Sequence, residues 1–251
     1  LLLYFSSNLA IFRKTNKTIM PKKKLVVLSG AGISAESGIP TFRDAGGLWE
    51  GHDVMEVASP QGWKKNPALV LDFYNQRRKA AKQAQPNDAH KIVKRLEDYF
   101  AVTVITQNVD DLHEKAGSSH VIHLHGSLFQ MRSSLDENLV YDIEGDIHLG
   151  DKCPKGSQLR PHIVWFGEAV PLITTASEIS IDSDVFIVVG TSLQVYPAAG
   201  LIEYLHRDTL KFLVDLNPPS VDYIKNLTII ADKASEGMRK VMEKLMEIFP
   251  N

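Results

Sequence analysis

Leu25-Val26-Val27-Leu28-Ser29 runs directly into Gly30-Ala31-Gly32-Ile33-Ser34-Ala35, and this junction decides the fold. An aliphatic run without alternation suits a strand buried on both faces of a parallel sheet. Glycines directly behind such a strand let the backbone turn tightly. They also let N–H groups approach a pyrophosphate at a helix N-terminus. A plain dinucleotide fingerprint would continue into a long helix and a second strand ending in an acid. Here Gly38 and Pro40 end any helix early, and Thr41-Phe42-Arg43-Asp44 follows. On these residues alone the segment is either a dinucleotide loop of an unusual sort or only a tight turn.

Working outward, further aliphatic runs at 101–106, 121–124, 185–189 and 211–216 read as strands of the same kind. Between and after them lie helix signals. Pro67 opens a helix over 68–84, and Asn87-Asp88 cap one over 89–99. A short helix over 110–115 stops at Gly117, and another short one covers 201–206. In 234–248, Met238, Val241, Met242, Leu245 and Ile248 fall at helical spacing. Strands alternating with helices predict an α/β fold, a Rossmann-like doubly wound parallel sheet. Two stretches break the alternation. Residues 41–67 read as a functional loop with short helices, and the polar residues 131–161 read as a small inserted lobe.

Bulk composition narrows the classes. The chain has 251 residues, 44% hydrophobic and 23% charged, enough to bury a real core in one large domain with a smaller module. A net charge of -2 offers no basic field for nucleic acid. No apolar run reaches membrane-spanning length, so neither nucleic acid nor a membrane is an expected partner. One cysteine, Cys153, excludes an internal disulfide framework and suits a reducing, cytoplasmic setting. Residues 1–12 are apolar but interrupted, with no charge before Arg13, unlike a secretory signal. The expectation is that Met20 is the natural start and 1–19 an upstream or disordered extension. An organelle-targeting tail, poor in acids, is the alternative.

Four more strand ends carry chemistry. Gln107-Asn108-Val109-Asp110 offers two carboxamides and a carboxylate, able to hydrogen-bond a flat amide-bearing ring or to cap a helix. His125 follows a strand and precedes Gly126. His123 and His125 alternate with Leu124 and so share a face. With His113 they could suggest a metal site, but no acid follows at ligand spacing, so a general base is the better reading. Gly190-Thr191-Ser192 is a further turn behind a strand. In Asp215-Leu216-Asn217-Pro218, Asn217 is either a ribose ligand or a turn former.

Together, in this order, Gly30-Ala31-Gly32-Ile33-Ser34, Gly38-Ile39-Pro40-Thr41-Phe42-Arg43, Gln107-Asn108-Val109-Asp110, His125-Gly126 and Gly190-Thr191-Ser192 resemble motifs of the sirtuin family of NAD-dependent protein deacylases, in its bacterial type. The resemblance spans residues 24–245. It implies a catalytic domain over 20–251, with a small lobe built from about 45–90 and 129–163, and acyl-lysine peptide and NAD bound between lobes. It implies transfer of the acyl group to ADP-ribose with release of nicotinamide, and His125 as the base. It assigns NAD contacts to Gly30, Ala31, Gly32, Ile33, Ser34, Ala35, Thr41, Phe42, Arg43, Trp49, Gln107, Asn108, Val109, Asp110, Gly190, Thr191, Ser192, Asn217 and Ala234. It assigns peptide contacts to Val164, Phe166, Gly167, Glu168 and Val195, which resemble segments that pair with an extended backbone.

Tyr74 and Arg77 stand three residues apart on one helical face. A phenol beside a guanidinium grips a carboxylate, and the pair resembles the Tyr-x-x-Arg of sirtuins that remove succinyl or malonyl groups. By charge pattern alone it is equally a solvated face. Most sirtuins also hold a structural zinc on two Cys-x-x-Cys pairs. Here Cys153 stands alone, Gly156 takes its partner position, and the earlier pair falls at Ser133. Tetrahedral zinc needs four N or S ligands, so no zinc is expected, and packing of Leu139, Tyr141, Ile143, Ile147 and Leu159 would hold the lobe instead. Protein ADP-ribosyl transfer and non-catalytic NAD binding are the competing readings.

Overall fold

The structure is a computed structural model, and it describes residues 21–41, 48–49, 51–221 and 223–250. The expectations for residues 1–19, Phe42 and Arg43 lie outside the described residues. Six parallel strands form the large sheet, in the spatial order Leu227–Ala231, Leu210–Asp215, Val185–Val189, Lys24–Ser29, Ala101–Thr106, Val121–His123. The first strand of the chain is central: Val27 registers with Val104 on one side and Ile187 on the other. From it the chain winds outward first one way, then the other. The loops after Ser29 and Val189 therefore diverge at a switch point, where open α/β sheets take ligands.

Both faces of the central strand are covered, as the unalternating sequence requires. Leu25 and Val27 face helices Asp88–Leu96 and Ala234–Ile248 through Val93, Leu96, Met238 and Val241. Val26 and Leu28 pack on the other side with Ala176, Ala198 and Leu201, from helix Ile173–Ile181 and the 3-10 helix Ala198–Tyr204. The expected helix over 201–206 thus begins earlier and winds more tightly. That over 110–115 shortens to Leu112–Lys115, with Asp110 accepting from Leu112 N at 3.1 Å.

Two elements go unmarked in the sequence pattern. Helix Ile173–Ile181 is rich in β-branched residues and serine, whose helix propensity is low. Strand Leu227–Ala231 is an edge strand in which Ile230 alone is buried, so it lacks the aliphatic signature of its neighbours.

The small lobe is a three-stranded antiparallel sheet with Gly126–Ser133 between Val140–Asp142 and Leu159–Ile163. It begins at Gly126, immediately after His125, earlier than the polar composition suggested. Ile147, Leu159, Leu139, Tyr141 and Ile143 pack with Leu71 and Cys153. The long helix Pro67–Gln83 is pinned to the lobe by Asn75, which donates from Nδ2 to Ile147 O and accepts Ile147 N, both at 3.0 Å. Ser133 and Cys153, the two positions compared above with zinc ligands, meet through Ser157, whose hydroxyl lies 2.7 Å from Ser133 Oγ and 3.1 Å from Cys153 Sγ. Ser133 Oγ also accepts Asp136 N at 3.0 Å. Among the described residues no group of three or more His, Cys, Asp or Glu is placed to hold a metal. This donor set does not fit zinc; it is a hydrogen-bonded knot joining two turns.

Candidate active site

A cleft of about 580 Å³ runs along the carboxyl ends of the strands, between the large sheet and the lobe. Its floor is built by two loops that touch backbone to backbone. Gly30 N donates to Val189 O at 3.0 Å, and Gly32 N to Gly190 O at 2.8 Å. A Cβ on Gly190, whose φ is +64°, would stand 2.2 Å from Ile33 N. These glycines are therefore required first for the two loops to meet, with two of the amides spent in doing so. Gly30 and Gly32 line the cleft, and their N–H groups are engaged within its floor. Ile33 stands differently. Its side chain is fully buried in the sheet core and does not line the cleft.

At the floor's inner end Ser34 Oγ donates to Asp110 Oδ2 and accepts from Asn108 Nδ2, each at 3.0 Å. Burial raises the Asp110 carboxyl above its ordinary range, against the pull of Leu112 N and Ser34. Asn108 is itself placed by its backbone N–H on Thr106 Oγ1 at 3.0 Å. Gln107 Nε2 reaches Thr191 Oγ1 at 3.2 Å across the floor. Amide, carboxylate and hydroxyl thus converge in one small volume, a set suited to a carboxamide ligand.

His125 lies where the sheet gives way to the lobe. Its Nδ1 is 3.0 Å from Gln107 O. A carbonyl only accepts, so Nδ1 carries the proton and Nε2 keeps a free lone pair. Burial lowers the His125 pKa below its ordinary value, and the Gln107 hydrogen bond opposes that shift. His123 is differently employed: its ring nitrogens meet Asn108 O at 2.9 Å and Glu114 Oε1 at 2.7 Å. His113 is buried with Nε2 on Ser29 Oγ at 2.9 Å. The three histidines therefore hold separate partners, and the base reading of His125 is the one the geometry accommodates.

Thr41, Trp49, Ala31, Ala35, Val109, Thr191, Ser192, Asn217 and Ala234 line the same cleft. Asn217 also forms a turn, its N–H on Asp215 Oδ1 at 2.9 Å, the turn-former reading of the sequence. Val164, Phe166, Gly167 and Glu168, which follow the lobe strand Leu159–Ile163, and Val195, which precedes the 3-10 helix Ala198–Tyr204, also line the cleft. Val164 N is taken by His125 O at 3.0 Å and Phe166 N by Ala58 O at 2.9 Å. Glu168 reaches the lining, but its carboxylate receives Arg160 at 2.8 Å, Arg132 at 3.2 Å and Trp165 N at 2.9 Å. It holds the segment in place. Burial pushes its pKa up, yet Arg160, Trp165 N and Arg132 together leave it lowered.

Tyr74 and Arg77 both enter the cleft and both are buried, at 0% and 7% exposure, so the solvated-face reading fails. The Arg77 guanidinium sits 4.4 Å from the Trp49 ring and 5.7 Å from that of Phe73. Burial holds the Tyr74 phenol well above its ordinary pKa, so it is a proton donor at any physiological pH. Trp165, Leu128 and Ile163 complete this end. Sequence reasoning named Trp165 only as part of the peptide-pairing segment and passed over Leu128 and Ile163, because an aliphatic in a strand reads as core, which they also are.

The comparisons agree with this geometry. The Sir2 family model matches residues 30–197. An NAD-dependent protein deacylase of Helicobacter pylori is 56% identical over 226 residues, 90% of this chain and 99% of that one. One of Bacteroides thetaiotaomicron is 50% identical over 230 residues, 89% of this chain and 98% of that one. A Sir2 homologue solved with ADP-ribose matches at TM-score 0.82 and 40% identity, over 90% of this chain and 93% of that one. A Sir2 mutant solved with a p53 peptide and NAD matches at TM-score 0.73 and 33% identity, over 89% and 93%. Motifs that the fold gathers onto one cleft are thus shared along nearly the whole chain, and the chain belongs to the Sir2 family.

Proposed function

We propose that this chain is an NAD-dependent protein-lysine deacylase whose cleft favours acyl groups ending in a carboxylate, succinyl and malonyl. The activity class is that of its relatives. The acyl preference is carried by one observation: a phenol and a guanidinium, both buried, line the cleft that also holds His125. Removing a cation and a phenol from water is costly, and a substrate carboxylate offsets that cost where an acetyl methyl does not.

The donor set fits NAD. Ser34, Asn108 and Asp110 offer a carboxamide its partners, and Asn217 and Ala234 stand at the far end of the same cleft. NAD supplies a ribose carbon whose leaving group is nicotinamide. His125, neutral and with Nε2 free, takes a hydroxyl proton. Val164 to Glu168 and Val195 flank an extended peptide, and the Arg160–Glu168 pair keeps that segment rigid.

The test is nicotinamide release and peptide mass change with matched acetyl-, succinyl- and malonyl-lysine peptides. We expect acid-acyl peptides to have the higher kcat/KM. Arg77→Met should lower that value about 10- to 100-fold, as for loss of a charged hydrogen bond. His125→Ala should cost at least about 100-fold on every peptide. Removal of acetyl alone would sink the acyl preference. Transfer of ADP-ribose to protein, without acyl loss, would sink the deacylase reading.

A further inference from the structure

The acyl-binding pair described above has a third member that neither the motif nor the family match assigns. Trp165 lies on the segment between the lobe strand Leu159–Ile163 and Glu168, far in sequence from the helix carrying Tyr74 and Arg77. Its indole Nε1–H donates to Tyr74 Oη at 3.1 Å, a bond between two buried side chains. The indole cannot swing away. The Arg160 guanidinium carbon is 3.3 Å from the indole ring centroid, and Trp63 stands on the ring at 5.7 Å. The same Arg160 is tied to Glu168 and to Ile163 O at 2.8 Å, and Trp165 N is tied to Glu168. Backbone and ring of Trp165 are thus both clamped.

This bond has a chemical consequence. A phenol has one proton to give and an oxygen that accepts. With the oxygen engaged by a donor-only indole, the phenol is left to act as a donor. No described residue accepts the Tyr74 proton. A buried donor without an acceptor is costly, and a ligand oxygen at that place removes the cost. An indole N–H on the phenol oxygen also polarises the O–H and strengthens the bond it gives.

We infer that Trp165 is a positioning residue for acyl specificity: by occupying the Tyr74 oxygen from behind, it orients the phenol proton toward the carboxylate of an acidic acyl chain. The inference rests on the acid-acyl reading above and extends it to a residue that acts through Tyr74. Trp165 does not itself contact the acyl carboxylate. It sets the ratio between acidic and neutral acyl groups, and its influence vanishes once Tyr74 has no hydroxyl.

The experiment is a cycle of Trp165→Phe, Tyr74→Phe and the double variant, each assayed on succinyl- and acetyl-lysine peptides. Indole N–H resonances of the three tryptophans are recorded for the wild type and Tyr74→Phe. Trp165→Phe should reduce the succinyl-to-acetyl ratio of kcat/KM about tenfold, mainly through KM for the succinyl peptide. In the Tyr74→Phe background the same change should leave the ratio where it is. One indole resonance should move upfield in Tyr74→Phe. Equal losses on both peptides, or a ratio change that persists without the Tyr74 hydroxyl, would overturn the inference and make Trp165 a packing residue. If the wild type shows no acid-acyl preference while Arg77→Met is silent, the underlying reading falls and this one with it. A wild-type preference abolished by Arg77→Met but indifferent to Trp165→Phe would overturn the Trp165 inference alone. Should Trp165→Phe fold poorly, Trp165→His keeps a ring N–H donor and should restore part of the ratio.

Discussion

The large sheet and the small lobe bury their interiors in opposite ways. The sheet is mostly dry: Leu25, Val27, Val185, Ile187 and Val189 are fully buried between layers of helix, and buried polar groups such as Ser29 and Thr106 sit at strand ends, paired with each other. The lobe and its junction with the cleft are charged and polar: Arg132 and Arg160 converge on Glu168, and serine hydroxyls meet the Cys153 thiol. A dry interior tolerates changes according to volume. A charged one depends on complete sets of partners, because a single deletion strands the rest. The functional consequence is a division of labour. The sheet supplies an immobile floor, and the lobe supplies a polar wall whose side chains hold one another in fixed directions.

The largest expected effect sharpens this contrast directly. Glu168→Ala leaves two buried guanidinium groups facing each other and should cost about 3–5 kcal/mol in urea unfolding. Leu28→Ala, at 0% exposure in the sheet, should cost about 2–5 kcal/mol. The two variants should differ in kind. Loss of Glu168 should also disturb peptide KM, whereas Leu28→Ala should leave KM alone in whatever fraction is folded. A silent Glu168→Ala would mean the arginines find water instead, and the contrast would be false.

Acid should separate the regions next. His90 is fully buried in the large domain, and its burial lowers its pKa to about 4, against a modest pull from Glu114. The unfolded chain takes up that proton near pH 6.5. The stabilisation from a neutral His90 is therefore present above pH 6.5 and lost as pH falls from there toward 4. Glu168 has a lowered pKa, so its contribution is lost only as pH drops below the ordinary glutamate range. All three tryptophans sit in the cluster between lobe and cleft. Urea unfolding across this pH range should show stability falling first through the histidines that burial depresses, His90 and His113 in the large domain and His162 in the lobe, a slope that His90→Gln flattens in part, while tryptophan emission of the native state stays constant until pH is lower still. An unchanged slope in His90→Gln would refute the assignment.

The smallest effect concerns the knot. Ser157→Ala removes the bridge between Ser133 and Cys153 and should cost about 1–2 kcal/mol. It should also raise the Cys153 pKa, which the Ser157 hydrogen bond holds down to about 7, and so slow the thiol's reaction with a disulfide reagent at neutral pH. No change in either measurement would return the lobe's stability to Leu71, Ile147 and Leu159 alone.

Which parts were readable from the sequence follows from the same division. Strands 101–106 and 185–189 and helix 234–248 are bounded as their patterns predict, because two-sided burial and amphipathic spacing write themselves into residue type. The chemistry at strand ends was equally readable: glycines, carboxamides and His125 stand where an aliphatic run stops. Strand Leu227–Ala231 and helix Ile173–Ile181 were not readable, since one is an edge and the other gains its helical form from packing Ala176 against the sheet. The reason for Gly30, Gly32 and Gly190 was only half visible. A phosphate loop and a loop-to-loop contact demand the same residue.

By itself the sequence determined the α/β class, the cleft's chemical inventory and the family, because each depends on local order along the chain. Tertiary structure alone decided which carboxylate meets Ser34 on the cleft floor and which is consumed by arginines, since Glu168 reads the same in either role. It alone placed Trp165 behind Tyr74, 91 residues away in the chain, because a hydrogen bond between distant segments depends on how lobe and helix pack and leaves no trace in either segment's own pattern.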